Sequence, residues 1–278
     1  MMKKLTSVFI LMMLIGCSGI KSPAERSLVA NQIATQHNLT GALVGDSLPL
    51  QAFYSSQAFS SKHNRIYIEG DGFAYVTSSV PSPDPTPLEP TTLRLAASDT
   101  NPNIIYLARP CHYTTLNKPN CPQKYWTTHR YSQAVVDIYH NILNTFKSEH
   151  GVQTFDVVGY SGGGVIAALL AAQRNDVTAL RTVASNLDVA AFTTHHGITP
   201  MPHSRNPADV DDATFKNLPQ KHFSGGDDDI VPPQIARSFV QQTGASLNSL
   251  EVVKGMDHFS PWHEIWPNLL TKSLQSLE

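Results

Sequence analysis

Residues 152–172, VQTFDVVGYSGGGVIAALLAA, constrain the fold more than any other stretch of this 278-residue chain. Phe155 to Val158 is a short apolar run of the kind that fits a buried parallel strand. Gly159-Tyr160-Ser161-Gly162-Gly163 follows at once, and Gly164 leads into an Ala/Leu-rich run of helix formers to about Ala172. Strand, G-x-S-x-G and helix in direct succession predict a turn so tight that the serine backbone is strained and its neighbours must be small. Glycines two before and two after Ser161 let strand and helix pack closely, so that Ser161 Oγ stands clear of the sheet edge. The helix N-terminus then lies beside that hydroxyl, where free N–H groups can face a developing negative charge. A phosphate cradle is the competing use of such a turn. No G-x-x-x-x-G-K-[ST] occurs in the chain, so it is not a Walker loop.

The flanking sequence extends the same alternation. Strands are expected at Leu39–Phe53 (two, joined by a Gly45-Asp46-Ser47 turn and antiparallel), Arg65–Ile68, Asn103–Ala108, Leu180–Ser185, Lys221–Ser224 and Leu250–Val253. Helices are expected at Ala24–His37 with Leu28, Val29 and Ile33 on its apolar face, at Thr91–Ala97, from Ser132 to His150, at Ile235–Gln242 and at Trp262–Leu277. Val80–Pro90 is proline-dense and reads as a stiff surface loop, long enough to wall a site. One parallel-dominated α/β sheet accounts for all of this. The net charge of -2 offers nothing that would attract nucleic acid.

The first seventeen residues stand apart. Lys3-Lys4 and the apolar Leu5–Ile15 form a leader too short to span a bilayer as a settled helix. Leu14-Ile15-Gly16-Cys17 is similar to a bacterial lipobox. That resemblance implies cleavage before Cys17, lipidation of its thiol, loss of Lys3 and Lys4, and a membrane anchor at the cell envelope. Ser18 after the cysteine, rather than an aspartate, favours the outer membrane by the same resemblance. An exported chain with Cys111 and Cys121 left over is expected to join them in one disulfide that pins a short loop. His112 beside them does not complete zinc-ligand spacing, and neither do His195, His196 and His203 farther on.

A serine hydroxyl needs a base to take its proton and an acid to orient that base. Downstream of Ser161, Gly225-Gly226-Asp227-Asp228-Asp229-Ile230-Val231-Pro232 follows a predicted strand, and Lys254-Gly255-Met256-Asp257-His258 follows the last one. With the elbow, these segments resemble the α/β-hydrolase superfamily, whose acid lies in G-x-x-D-x-x-V-P and whose base lies in G-x-x-H. The resemblance selects Asp228 as acid, with Asp227 as runner-up, and His258 as base. It implies an α/β-hydrolase fold over residues 18–278, a cap-like insertion at about 187–218, acyl transfer to Ser161 and an ester-type small-molecule substrate, with no cofactor. Of the two oxyanion donors, one is expected from Gly162. The other is expected from the loop Glu69-Gly70-Asp71-Gly72-Phe73, at Gly72 or Phe73, where the Asp71 carboxylate must point away. Two other readings of the chain are a calcium loop at Asp227–Asp229 and a catalytically silent lipoprotein that uses the fold for binding.

Overall fold

A computed structural model describes residues 19–46, 48–114 and 121–274; the leader and Cys17 lie outside them. Eight strands form one sheet in the order β1-β2-β4-β3-β5-β6-β7-β8. They are β1 Leu39–Val44, β2 Leu50–Ser55, β3 His63–Ile68, β4 Ile104–Leu107, β5 Thr154–Tyr160, β6 Val177–Val183, β7 Gln220–Gly225 and β8 Leu250–Val253. β2 runs antiparallel to β1 and β4, and every other pairing is parallel. The β3–β4 exchange places β3 beside β5, so the loop after β3 meets the turn after β5.

Helices α1 Pro23–Gln36, α2 Thr91–Ser98 and α8 Trp262–Leu269 cover one face of the sheet, over Tyr67, Val158, Val183 and Phe223. On the other face, α3 Gln133–His150, α4 Gly162–Gln173 and α7 Pro233–Thr243 pack over Ile66, Ile68, Val157 and Leu180. β4 (IIYL) is buried at every position, as a strand packed on both faces must be. The segment between β6 and β7, where a cap-like insertion is expected, carries the short helices α5 Val189–His195 and α6 Ala213–Asn217 with a 3-10 turn at Pro207–Asp209 between them.

The structure departs from the sequence reading in four places. Helix α1 buries Arg26, Ala30, Ile33 and Ala34, while Leu28 is exposed. The buried stripe is built from smaller residues than the expected one. The closing helix stops at Leu269 rather than Leu277, shortly after an internal Pro267 that denies it a backbone donor. β6 begins at Val177, three residues early, because Phe155 N–H bonds Asp176 O and draws that end into the ladder. The proline-dense loop is a surface feature only in part: Val80 and Leu88 are exposed, but Ser82 and Thr86 are buried and Arg26 Nη1 donates to the Thr86 carbonyl.

Candidate active site

Ser161 sits between β5 and α4 with φ 51° and ψ −127°, in the positive-φ region that a side chain occupies only under constraint. Its own amide donates to Val183 O at 2.9 Å, which ties the turn to β6. The glycines make the close approach possible. A Cβ on Gly159 would collide with the Gly163–Gly164 peptide, and one on Gly163 with the Ile68 and Glu69 carbonyls.

His258 follows β8, and its Nε2 lies 3.1 Å from Ser161 Oγ. With Nδ1 protonated, the ring donates to Asp228 Oδ2 at 2.9 Å. The Tyr160 ring packs against the imidazole with centroids 5.3 Å apart, and its hydroxyl fixes the loop backbone by donating to His258 O at 2.7 Å. Asp228 Oδ1 accepts from the Ile230 and Val231 amides at 2.9 and 2.7 Å, so both carboxylate oxygens have partners in a buried position. Asp227 and Asp229 are exposed, whereas Asp228 is buried. The three carboxylates therefore do not converge as a calcium loop would require. Among the described residues no three His, Cys, Asp or Glu side chains gather as metal ligands. His196 Nε2 instead lies 2.7 Å from Ile230 O, and His203 stacks on His129.

The loop after β3 passes directly over the serine. A Cβ on Gly70 would stand 3.4 Å from Ser161 Cβ. The Gly162 amide, first in α4, has no acceptor among the described residues, and neither do those of Asp71 and Gly72. Phe73 is a different matter. Its N–H donates to Pro85 O at 2.9 Å, so the reading of Phe73 as a free donor is corrected. Gly72, at φ 66°, stays in contention, and the Asp71 amide joins it because it follows Gly70 directly.

The Asp71 carboxylate is engaged in a buried cluster of cations. Oδ1 accepts from Arg109 Nη1 at 3.2 Å, and Oδ2 from Arg130 Nη1 at 2.8 Å and Tyr131 Oη at 2.5 Å. Burial alone would raise its pKa, but Arg130 and Arg109 outweigh that and hold the carboxyl below its ordinary value. Arg109 Nη1 also donates to Gly162 O at 3.3 Å, which ties loop, elbow and cluster together. Arg109, Arg130 and Tyr131 carry no local motif, and nothing in the sequence marked them. Cys111 and Cys121 form a disulfide beside this cluster, packed with Ala74 and Trp126. A cavity of about 640 Å³ opens on Ser161 and His258, walled by Phe73, Tyr75, Phe192 and Phe259, with Arg130 in its lining.

The sheet order, the helices on both faces and the strand–turn–helix at Ser161 define an α/β-hydrolase fold. The chain is similar to XC6422 from Xanthomonas campestris, described as an α/β serine hydrolase without lid, at 12% identity over 87% of this chain and 97% of that one, TM-score 0.51. It is similar to Est1E from Butyrivibrio proteoclasticus at 14% identity over 84% and 96%, TM-score 0.53. It is also similar to an α/β serine hydrolase homologue from Coxiella burnetii at 16% identity over 84% and 97%, TM-score 0.52. No protein-family model and no curated protein matches the sequence.

Proposed function

We propose that this chain is a serine hydrolase that cleaves an ester-type bond through an acyl-enzyme, with Ser161 as nucleophile, His258 as base and Asp228 as the acid that orients it. The observation that carries the reading is the hydrogen-bonded line from Asp228 Oδ2 through both His258 nitrogens to Ser161 Oγ. His258 Nε2 takes the Ser161 proton as Oγ attacks the ester carbonyl. The oxyanion faces the Gly162 amide and one from Asp71 or Gly72. His258 then returns the proton to the departing alkoxide, and water repeats the steps to free the acid and restore Ser161. The mostly apolar cavity fits a small ester, and Phe192 of the expected cap segment contributes to its wall. The structural neighbours described as serine hydrolases point to the same chemistry.

A fluorophosphonate probe on the domain from Ser22 onward, beside Ser161→Ala and His258→Ala, tests this. Wild type alone is expected to label and to hydrolyse p-nitrophenyl esters. A folded wild type that does neither would leave a binding module as the reading.

We further propose that Cys17 is lipidated and anchors the chain to the bacterial cell envelope, on the strength of Leu14-Ile15-Gly16-Cys17 after a basic, apolar leader. Radiolabelled palmitate should enter the full chain and not Cys17→Ser. Equal incorporation, or none in either, would remove the anchor.

A further inference from the structure

The cluster under the cavity holds more positive charge than it uses. Arg109 is fully engaged through its terminal nitrogens: Nη1 with Asp71 and Gly162 O, and Nη2 with the Arg130 carbonyl. Two guanidiniums, those of Arg109 and Arg130, thus share the single carboxylate of Asp71, which leaves one positive charge in excess. Arg130 commits Nη1 to Asp71 and Nε to Thr127 O at 3.0 Å, but Nη2 has no partner among the described residues. Nη2 is not fully buried, on a side chain that is 12% exposed. That guanidinium lines the cavity, held over the Tyr75 and Tyr131 rings at 5.6 and 5.9 Å.

The other carboxylates around the cavity are already occupied. Glu69 accepts from Thr92, Tyr106 and Gly70, and Glu89 pairs outward with Lys21 and Arg94. A fixed cation with one free nitrogen in a mostly apolar cavity can donate a charge-assisted hydrogen bond to a carboxylate there.

We propose that Arg130 is a specificity-determining residue that selects esters carrying an anionic group, with a carboxylate of the substrate accepting from its free Nη2. This rests on the serine hydrolase reading of Ser161. The substrate class is then a half-ester of a dicarboxylic acid or an ester of comparable charge, its apolar spacer lying along Tyr75 and Phe73.

A matched pair of substrates reads this directly: the p-nitrophenyl ester of adipic acid, with a free carboxylate, against the same ester capped as its methyl ester. Wild type is expected to favour the anion by about tenfold in kcat/KM, the range of a charge-assisted hydrogen bond. Added salt should erode the preference. Arg130→Gln should bring the ratio near one, and Arg130→Lys should keep part of it. Because Arg130 also touches Asp71, the ratio within each variant is the readout rather than its absolute rate. A second arm needs no turnover. In Ser161→Ala, monomethyl adipate should raise the melting temperature and dimethyl adipate should not. Wild type that labels with the probe but shows equal rates overturns the selectivity and leaves the hydrolase reading standing. If wild type fails to label, the hydrolase reading falls. The melting shifts still decide the anion site, and equal shifts or none would sink it.

Discussion

Asp228→Asn is expected to lower kcat about 10⁴-fold while the protein stays folded. The size follows from how the side chain is fixed. Asp228 Oδ1 accepts two amides, Ile230 at 2.9 Å and Val231 at 2.7 Å, and an asparagine must turn its own oxygen the same way to satisfy them. Its Nδ2 then faces His258 Nδ1, where Asp228 Oδ2 now accepts at 2.9 Å. Two donors cannot meet there, so the ring gives up the Nδ1 proton and carries one on Nε2. That puts an N–H against Ser161 Oγ, 3.1 Å away, where a lone pair is needed. Asp227→Asn and Asp229→Asn alter exposed carboxylates outside this line and should change kcat by no more than about twofold. Steady-state rates, probe-labelling rates and melting curves on the three variants separate the cases. An inactive Asp227→Asn beside an active Asp228→Asn would move the acid to the runner-up position.

The parts of this site that were legible in the sequence are those where backbone geometry dictates the residue. Gly159 and Gly163 are forced by the collisions a Cβ would meet, which is why the elbow stands out as a pattern. Asp228 and His258 were legible because each follows a strand, buried β7 and the edge strand β8, and keeps the chain order of the fold. Arg109, Arg130 and Tyr131 were not, since they reach Asp71 from 38, 59 and 60 residues away and obey no local period. The Phe73 donor failed for a similar reason: its amide is claimed by Pro85, in a loop that composition alone assigns to the surface. Leu28 shows the limit of apolar spacing. Helix α1 buries a narrow face of alanines and Ile33, with Arg26 reaching the Asp84–Thr86 loop, so a leucine on its flank stays in water.

Acidification from pH 7 to pH 5 is expected to cost the fold about 4 kcal/mol, arising from two buried histidines at about 2 kcal/mol each. His112 and His222 are both held neutral, their pKa pushed from 6.5 down to about 3. Burial is the main cause for each, reinforced by the Arg109 charge beside His112 and by Lys221 beside His222. His222 is a satisfied neutral ring, between Thr182 Oγ1 at 2.9 Å and Gln220 Oε1 at 3.0 Å, whereas neither nitrogen of His112 has a partner among the described residues. The unfolded chain takes up both protons below about pH 6.5 and the folded one does not. Stability is therefore full above that pH and falls steadily as the pH drops toward 3. Glu69 works the other way, because burial raises its pKa and favours its protonated, folded form, offsetting a little of the loss near pH 5. Asp71 and Asp176, both lowered, add to the loss only near and below their ordinary 3.8. Denaturant unfolding of wild type and His222→Gln at the two pH values reads the effect, with a wild-type melting shift of about 10 °C. The variant should lose about half as much as wild type over the same interval. Wild-type stability that stays flat from pH 7 to pH 5 would mean that these rings are protonated, or reached by water, within the folded chain.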